Sequence, residues 1–538
     1  MKQRYLILLM SFIAVTAAAF GATRPWDNGR LEVSDNGRFL RHADGTPFFW
    51  LADTGWLLPE RLNRDEAEHY LSRCAEAGYN VVQVQVVNGV PAFNAYGQMS
   101  MTPDFEFGGQ VRGGRSVMGG VRSVEGGGRN ASSAGDISPS SLHTPHSSLH
   151  TSPSSLHPSP STNLSYGYWD HMDYIVDCAA RHGIYVGMVC IWGGLVKAGH
   201  MDEAKAVRYG RFLAERYGRK KNIVWIIGGD IEGSVRTAVW DTLATTIKSL
   251  DPNHLMTFHP RGRTTSAKWF NDRPWLDFNM FQSGHRRYGQ RMGNKHYPIP
   301  DGTEEDSWMY VDSAWQHRPL KPVLDGEPSY EGIPQGLHDG SEPRWTALDV
   351  RRYAYWSVFA GSCGHTYGNN SIMQFVRPGV TGAYFADGNS HPWYRALNDP
   401  GYNQMKYLRH LMLSLPYFDR IPDQTAVRNN GVRYDRLLAT RGQDYLLVYN
   451  HTGRDMTVDL TKISGGEKDV WWMDPTDGRL TYLGRHPSRV TTFRYHASPT
   501  GVPDGVLIAI DTSKSYIGRT QTSITSAPAA DGERDLTE

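Results

Sequence analysis

The sequence predicts an α/β protein: a (β/α)8 TIM barrel followed by a small C-terminal antiparallel β-sandwich. Three observations lead to this fold class. Strand and helix patterns alternate over most of the chain, eight strand patterns occur before residue 420, and from about Ile421 the hydrophobic period changes to two. The alternative is a doubly wound open sheet, which would usually bring a Gly-rich phosphate loop after its first strand. This chain has none there.

The composition narrows the classes of partner. The chain has 538 residues, enough for two or three domains, and a formal net charge of +1, which gives no reason to expect nucleic acid or an anionic membrane as partner. Aromatic residues make up 12%, including 16 Trp and 28 Tyr. Such a content fits large cores or surfaces that stack on sugars, and the sequence leaves both open.

The first 22 residues have the pattern of a secretory signal. Lys2 and Arg4 give a positive start, an apolar run covers residues 5–19, and small residues follow. No cysteine follows the run, so a lipid anchor is not expected. No other run approaches the roughly 18 apolar residues of a membrane helix. We therefore predict an exported protein, periplasmic or extracellular, without membrane insertion.

The barrel begins with two strands and the helix between them. The first strand pattern is "FFWLADTGW" (48–56), and the second is "NVVQVQVV" (80–87). Between them Asn63 and Glu66 form a capping box, and Gly78 ends the helix.

A Gly-, Ser- and Pro-rich insertion interrupts the alternation at residues 108–163. It repeats "SSLHTPH", "SSLHTSP" and "SSLHPSP" and cannot bury enough apolar surface to fold, so we predict disorder. Its histidines could suggest a metal site, but repeat expansion explains them better. We predict no metal and no cofactor.

Six more strand patterns complete the barrel domain, residues 23–420. They are "IYVGMVCIWG", "NIVWIIGGD", "HLMTFHP", "WLDFNMFQSGH", "KPVLDGEP" and "GHTYGNN". Helices are predicted at 168–183, 202–217, 235–250, 344–359 and 402–415 from their apolar periodicity.

Beyond the barrel, residues 421–515 contain short alternating strands separated by Gly, Asn and Asp turns, which predicts the sandwich. The tail 516–538 is polar, and we predict that it is disordered. The four cysteines, Cys74, Cys178, Cys190 and Cys363, match no metal motif; buried free thiols are favoured, with one disulfide as the alternative.

Two of the strand patterns end in acids. The segment "KPVLDGEPSYEG" leads to Glu327, and "NIVWIIGGD" leads to Asp230. The C-terminal strand ends of a (β/α)8 barrel open onto the active site, so these carboxylates are expected to face each other across the mouth. Period-two alternation places residues 224, 226, 228 and 230 on one face, with Gly228 leaving space below Asp230.

Paired carboxylates are what glycosidic cleavage requires: one protonates the leaving oxygen, and the other attacks the anomeric carbon or activates water. We predict Glu327 as the ionised partner because its neighbours are polar, and Asp230 as the acid because an apolar strand precedes it. Each acid alone could instead be a helix cap or part of a loop ion pair. Glu232, Asp325 and Glu331 are rival carboxylates nearby.

Polar and aromatic residues follow the other strands and could bind a hydroxyl-rich ligand. The predicted substrate-binding residues are Asp53, Trp56, Gln85, Asn94, Trp192, His259, Arg261, Gln282, His365 and Tyr367. Arg261 could bind an acidic sugar through its guanidinium, or could pair with a loop acid; both remain open.

The motifs "FFWLADTGW", "YWDHMDYIVDCAARHGIYVGMVCIWGG", "NIVWIIGGDIEG" and "KPVLDGEPSYEG" resemble the apiosidase-like glycoside hydrolases of family 140. "VWWMDPTDGRL" and "DGVLIAID" resemble the collagen-binding-type sandwich often attached to them. The resemblance implies a barrel that retains anomeric configuration, with Asp230 as acid/base and Glu327 as nucleophile. It also implies action on apiose-containing side chains of the pectin rhamnogalacturonan II.

Two alternatives remain open at this point. One is a related barrel glycosidase with another substrate, of glucanase or galactanase type. The other is a non-catalytic sugar- or matrix-binding protein, against which the two strand-end acids argue. An oligo- or polysaccharide is the expected partner, and the chain is expected to be a monomer.

Overall fold

The computed structural model describes residues 24–107, 166–290, 305–337, 339–378, 390–495, 498, 500–519 and 521–524. The predicted signal segment 1–22 and insertion 108–163 lie outside the described residues.

The described strands fall into a short N-terminal group, the barrel, and a C-terminal group. They are β1 (Leu31–Val33), β2 (Leu40–His42), β3 (Pro47–Phe48), β4 (Trp50–Thr54), β5 (Val81–Gln85), β6 (Tyr185–Val189), β7 (Ile223–Ile231), β8 (Met256–Pro260), β9 (Thr264–Thr265), β10 (Asn279–Gln282), β11 (Val323–Asp325), β12 (Gly364–Tyr367), β13 (Ile421–Pro422), β14 (Leu438–Arg441), β15 (Tyr445–Asn450), β16 (Met456–Asp459), β17 (Glu467–Met473), β18 (Leu480–Pro487), β19 (Val490–Phe493) and β20 (Gly505–Asp511).

The described helices alternate with the barrel strands. They are α1 (Leu58–Arg61), α2 (Arg64–Glu76), α3 (Tyr168–Arg181), α4 (Gly193–Lys197), α5 (Glu203–Tyr217), α6 (Thr237–Leu250), α7 (Ala267–Phe270), α8 (Ser307–Trp315), α9 (Ala347–Phe359), α10 (Asn370–Met373), α11 (Trp393–Ala396) and α12 (Pro400–Leu413).

The central sheet is a nearly closed barrel, which confirms the predicted fold class. Its strand order is β8-β7-β6-β5-β4-β12-β11-β10-β9, and all neighbours are parallel except the short β9, which runs antiparallel to β10. Strands β8 and β10 lie close together and complete the ring. The eight predicted strands are β4, β5, β6, β7, β8, β10, β11 and β12, in that order along the chain.

Local sequence explains where the helices begin and end. Asn63 accepts a hydrogen bond from the Glu66 N–H while the Glu66 side chain accepts one from the Asn63 N–H, which is the predicted capping box of α2. Gly78, with φ of 89°, follows the end of that helix as predicted. The apolar faces of the longer helices are buried against the barrel, which orients each strand end toward the mouth.

A three-stranded antiparallel sheet, β1-β2-β3, precedes the barrel and had no counterpart in the sequence prediction. Its strands contain only two or three residues, too few for a readable alternation. Phe48 of β3 packs edge-on against Tyr185, the first residue of β6, at 5.4 Å between ring centroids. The sheet thus lies at the N-terminal end of the barrel, opposite the predicted site.

The C-terminal domain has the predicted antiparallel sheets. Six strands form the order β13-β14-β15-β20-β17-β18, and β16 pairs with β19. Helix α9 of the barrel packs on β14 and β15, so the two domains share a core. The chain remains packed past residue 516, where we expected a disordered tail, because Ile517 and Ile524 are buried and Ser523 bridges to Arg479.

All four cysteines are buried and free, the favoured alternative. In the described part of the chain, no helix combines the length and the apolar character that crossing a membrane requires.

Candidate active site

Glu327 and Asp230 both lie at the C-terminal end of the barrel strands. Glu327 is two residues beyond β11, and Asp230 is the next-to-last residue of β7. The first is almost wholly buried, with 8% exposure, whereas the second is open to solvent. The predicted pair is therefore one enclosed carboxylate and one accessible carboxylate.

A backbone distortion in β7 presents Asp230. Gly228, Gly229 and Asp230 have consecutive positive φ values of 89°, 114° and 52°, and the pairing with β8 shifts register between Gly228 and Ile231. Left-handed backbone at a non-glycine residue is strained and is common where a side chain is aimed at a ligand. The bulge breaks the period-two alternation that we used to place Asp230.

Gly228 and Gly229 are required because neighbouring residues approach their backbone closely, and not because they leave open space. A Cβ on Gly228 would lie 2.6 Å from the carbonyl oxygen of His259, and one on Gly229 would lie 2.7 Å from the ring of Trp192. The prediction that Gly228 leaves a gap below Asp230 is therefore wrong, since β8 already fills that position.

Two histidines enclose the carboxylate of Glu327. The Nε2 atom of His285 lies 3.1 Å from Oε1 in a hydrogen bond, and the Nε2 atom of His259 lies 3.2 Å from Oε2, at ion-pair distance but outside hydrogen-bond geometry. Burial alone would raise the pKa of Glu327, but interactions with His259 and His285 outweigh it and lower the pKa to about 2. Glu327 is thus held ionised.

The pKa of Asp230 is shifted in the opposite direction to that of Glu327. Its carboxyl group is accessible to water yet lies deep among protein atoms, and this desolvation raises its pKa; the negative charge of Glu327 raises it further. Two interacting carboxyl groups whose pKa values are shifted in opposite directions are the arrangement expected of an acid and a nucleophile in one site.

His259 connects the two acids. Its Nδ1 accepts a hydrogen bond from the backbone N–H of Asp230 at 3.3 Å. An accepting Nδ1 carries no proton, so the ring proton is on Nε2, the atom that faces Glu327. The buried imidazole of His259 therefore has two contacts in the site. It supports the bulge that presents Asp230, and it faces a carboxylate oxygen of Glu327.

Aromatic rings form one side of the mouth. Trp56 packs edge-on against Trp192 and His259, with centroids 5.7 and 5.6 Å apart, and its Nε1 donates to the hydroxyl of Tyr330 at 3.0 Å. Tyr330 packs edge-on against His285 at 4.7 Å. Burial, and then the charge of Glu327, raise the pKa of Tyr330, so its hydroxyl keeps its proton. Trp192 is half-buried and presents a ring beside Asp230.

The rival carboxylates are each held by another group. Asp325 is fully buried and accepts the Ser283 hydroxyl at 2.7 Å, and Glu331 accepts the Tyr367 hydroxyl at 2.6 Å. Glu232 is at the mouth but pairs with Arg261 at 3.1 Å. The sequence left two roles open for Arg261: binding an acidic sugar, or pairing with a loop acid. The structure contains the second, a salt bridge with Glu232.

Several predicted binding residues have other partners. Asp53 is fully buried and accepts the Tyr70 hydroxyl of α2 at 2.7 Å, and burial raises its pKa to about 7. Asn94 accepts two backbone N–H groups of its own turn, from Tyr96 and Gln98. Tyr367 likewise donates to Glu331. Asp53, Asn94 and Tyr367 thus have partners within the protein, and their role in substrate binding stays a prediction.

Other predicted residues lie within the barrel. Gln85 is 8% exposed, Gln282 is 3% exposed, and His365 is fully buried. Neither ring nitrogen of His365 has a hydrogen-bond partner among the described residues, and burial lowers its pKa to about 3. The structure thus brings Trp56, Trp192 and His259 together at the mouth, whereas Gln85, Gln282 and His365 are buried.

His285 and Tyr330 were absent from the predicted binding residues. His285 follows β10, at the end of the pattern "WLDFNMFQSGH", and Tyr330 is three residues after Glu327. Their position after strand ends was a usable signal. Their contact with Glu327 depends on loop geometry that the sequence does not display.

A cluster elsewhere has the residue types of a metal site. Ligand atoms of Glu68, Cys178 and His182 lie within 4.8 Å of one another between α2 and α3. The carboxylate of Glu68 already accepts from His182 at 2.6 Å, from Cys178 at 3.1 Å, and from the guanidinium of Arg181. These bonds account for the cluster without an ion.

Comparison with known proteins identifies the family of each domain. A family model described as an apiosidase-like catalytic domain matches residues 34–112 and 130–419, and a model of the collagen-binding-type domain described for a collagenase matches 421–510. The comparison with curated proteins gave no significant match.

Two solved structures are similar over nearly the whole chain. A glycoside hydrolase family 5 protein from Bacteroides vulgatus ATCC 8482 is 54% identical, covering 94% of this chain and 98% of that one, with a TM-score of 0.82. A second, named only as a glycoside hydrolase, is 55% identical, covering 92% and 100%, with a TM-score of 0.79. With the family model spanning most of the barrel and two acids at its mouth, this chain belongs to the apiosidase-like family and is a glycoside hydrolase.

Proposed function

We propose that the protein is an exported, retaining glycoside hydrolase that cleaves apiose-containing side chains of rhamnogalacturonan II. The observation that carries the catalytic part is the opposite shift of two neighbouring carboxyl groups. The pKa of Glu327 is lowered to about 2, and the pKa of Asp230 is raised. The substrate class follows from the family to which the chain belongs.

The proposed reaction has two displacements. A carboxylate oxygen of Glu327 attacks the anomeric carbon, the glycosidic C–O bond breaks, and Asp230 gives its proton to the leaving oxygen. Water then attacks the glycosyl ester, Asp230 takes a proton from that water, and Glu327 leaves as a carboxylate. Two inversions at one carbon give net retention.

The histidines suit the nucleophile for this role. His285 bonds Oε1, and His259 presents its Nε2 proton to Oε2. Both contacts favour the carboxylate form before the first step, and the same hydrogens can stabilise it when it leaves in the second.

The apolar faces of Trp56 and Trp192 suit a sugar ring, whose C–H faces stack on aromatic surfaces. Trp192 is the more exposed of the two and lies against Gly229, beside the proposed acid. We assign Trp192 to stacking on one of the two sugar units that adjoin the scissile bond.

A second candidate substrate has its own observation. The 54% identical structure is named as a glycoside hydrolase of family 5. It supports the alternative of a related barrel glycosidase with another substrate, of glucanase or galactanase type, with the same two acids and the same stereochemistry.

The test is release of sugar by the purified protein from rhamnogalacturonan II and from a panel of cellulose, mannan and galactan oligosaccharides. We expect free apiose from the first, with the anomeric configuration of the initial product retained in proton NMR. Release only from a panel glycan would replace the proposed substrate, and an inverted product would contradict the mechanism.

The matched variants are Glu327→Gln and Glu68→Gln. Both remove a buried or half-buried carboxylate that contacts a histidine, but Glu68 lies between the outer helices α2 and α3. We expect Glu327→Gln to lose at least about 10⁴-fold in kcat, and Glu68→Gln to keep kcat within about twofold. Equal losses in both would refute the assignment of Glu327.

Export rests on the signal-like residues 1–22 and is tested separately. Protein recovered from the source cells should begin near residue 23 in N-terminal mass spectrometry. A chain that retains Met1 in the cytoplasm would contradict export but not the hydrolase activity.

A further inference from the structure

The loop after β10 carries His285 into the mouth, and the C-terminal domain holds that loop from behind. Tyr288 is three residues after His285 and is fixed at both ends. Its backbone N–H donates to Oε1 of Glu305 at 2.6 Å, and its hydroxyl donates to Oδ1 of Asp306 at 2.6 Å.

Glu305 joins the two domains. Its side chain is fully buried and accepts hydrogen bonds from Tyr288, from the hydroxyl of Tyr434 at 2.6 Å, and from Arg352 of α9 at 2.5 Å. Tyr434 belongs to the segment between β13 and β14 in the C-terminal domain. One carboxylate oxygen, Oε1, thus receives both the loop N–H and the hydroxyl of the other domain.

Neighbours of Tyr434 strengthen the same contact. The ring of Tyr434 packs edge-on against Tyr288 at 5.1 Å, and the guanidinium of Arg433 lies over the Tyr288 ring at 5.2 Å. The guanidinium of Arg436 lies over Trp308, at 3.6 Å from the centroid. Residues 433–436 therefore contact both chain segments that meet at Glu305.

The front of the loop is fixed independently. The carbonyl oxygen of His285 accepts from the backbone of Gly336 at 2.6 Å and from Trp345 Nε1 at 3.2 Å, while its ring bonds Glu327. The bonds from Gly336 and Trp345 hold the His285 backbone and not its ring, and only three residues separate His285 from Tyr288, so a displacement of Tyr288 has a short path to the ring.

We propose that Tyr434 of the C-terminal domain is a positioning residue that holds His285 against Glu327 through the Glu305–Tyr288 contact. The proposal rests on the proposed function, in which Glu327 is the nucleophile. It gives the C-terminal domain a part in catalysis that binding to a matrix would not require.

The test is Tyr434→Phe, which removes the hydroxyl and keeps the ring. The matched control is Tyr482→Phe, since the Tyr482 hydroxyl also donates to a carboxylate at 2.6 Å, that of Asp469, within the same domain but away from the barrel. One readout is the imidazole resonance of His285 in long-range proton–nitrogen spectra, assigned by its loss in His285→Asn. The other is kcat and KM on the glycan that the wild-type protein cleaves.

In Tyr434→Phe we expect a shifted or broadened His285 resonance, a fall in kcat of about five- to tenfold, and an unchanged KM. Tyr482→Phe should match the wild type in all three. An unchanged His285 resonance in a folded Tyr434→Phe protein would overturn the proposal, as would a loss of kcat that Tyr482→Phe shares.

Arg433→Gln decides the matter if Tyr434→Phe does not fold, because it removes only the cation over Tyr288 and leaves Glu305 bonded. A shifted or broadened His285 resonance in Arg433→Gln, relative to the wild type, would support the link, and a wild-type resonance would overturn it. A shift in a protein whose wild type cleaves no glycan would support the link while rejecting the proposed function.

Discussion

The barrel mouth and the contact between the two domains both bury carboxylates, but they give them different partners. At the domain contact, Asp504 accepts two hydrogen bonds from the Arg351 guanidinium, at 2.9 and 2.7 Å, and one from the Tyr449 hydroxyl at 3.0 Å. At the mouth, Glu327 faces the imidazoles of His259 and His285.

The difference separates stability from chemistry. A guanidinium is permanently charged and binds a carboxylate in a planar fork, so the Arg351–Asp504 pair is a fixed contact between the two domains. An imidazole donates one hydrogen and leaves room for the carboxylate to react. Burial alone therefore does not mark a catalytic acid; its partner and its place at the barrel mouth have to be considered together.

The largest effect is expected from replacing Asp230 at the barrel mouth, and it is measured as a loss of activity. Asp230→Ala should lose about 10²- to 10⁴-fold in kcat on a glycan, because the departing sugar alkoxide needs a proton. With an aryl leaving group of low pKa the first step should survive, and azide should restore turnover by attacking the glycosyl ester.

The configuration of the azide product decides the assignment. Retained configuration from Asp230→Ala is expected for an acid/base variant, and an inverted product would exchange the roles of Asp230 and Glu327. Near-wild-type activity in Asp230→Ala would transfer the acid role to Glu232, the other carboxylate at the mouth.

Disrupting the contact between the two domains should lower the stability of the protein. Arg351→Ala leaves Asp504 buried without its guanidinium, and the free energy of unfolding should fall by roughly 3–5 kcal/mol. Urea denaturation measures this fall. The control Arg211→Ala removes an exposed ion pair with Glu215, whose N–O distance is 3.8 Å, and should change stability by less than about 1 kcal/mol.

Replacing both partners sharpens the comparison. In Arg351→Met with Asp504→Leu, no charge remains buried, and much of the lost stability should return. The kcat of the folded Arg351→Ala protein should equal that of the wild type. A fall in kcat without a fall in stability would mean that this contact, too, reaches the mouth.

The sequence predicted the order of the barrel strands because apolar runs and helix caps are local signals. It also predicted the two acids, since a carboxylate directly after an apolar strand is a local feature. It did not show that Asp53 bonds Tyr70 of α2, because every residue of β4 is buried and a strand buried on both faces carries no alternation to show which way a side chain points.

What remained hidden from the sequence depends on contacts between distant residues. The bulge at Gly228–Asp230 is set by close approach to Trp192 and β8, and the contact of Tyr434 with Glu305 joins residues 129 positions apart. No local propensity encodes either contact. The N-terminal sheet was missed for the opposite reason, since its strands are too short to show a pattern.

The smallest expected effect is on the pH dependence of stability. It concerns two acids on one segment, Asp325 and Glu327. Burial raises the pKa of Asp325 to about 7, although hydrogen bonds from Ser283 oppose the rise. The folded protein then binds a proton that the unfolded chain, with a pKa of about 3.9, has already released. Its contribution to stability is full below about pH 4 and is lost as the pH rises to about 7.

Glu327 contributes in the opposite sense. Its pKa of about 2 lies below the unfolded value of about 4.3, so its contribution is present above that value and is lost as the pH falls toward 2. The two windows overlap only between about pH 3.9 and 4.3, which allows each acid to be measured in the presence of the other.

Asp325→Asn should therefore remove part of the decline in the free energy of unfolding between pH 4 and 7, by roughly a few kcal/mol. The comparison must be a difference from the wild type, because burial also raises the pKa values of Asp53 and Glu331 to about 7. Asp44→Asn is the control. A backbone hydrogen bond at Thr46 lowers the pKa of that exposed carboxyl, which puts its titration below the window. Urea unfolding at half-unit pH steps gives the slopes, and an Asp325→Asn slope equal to that of the wild type would mean that Asp325 is ionised in the folded barrel, directly beneath an ionised Glu327.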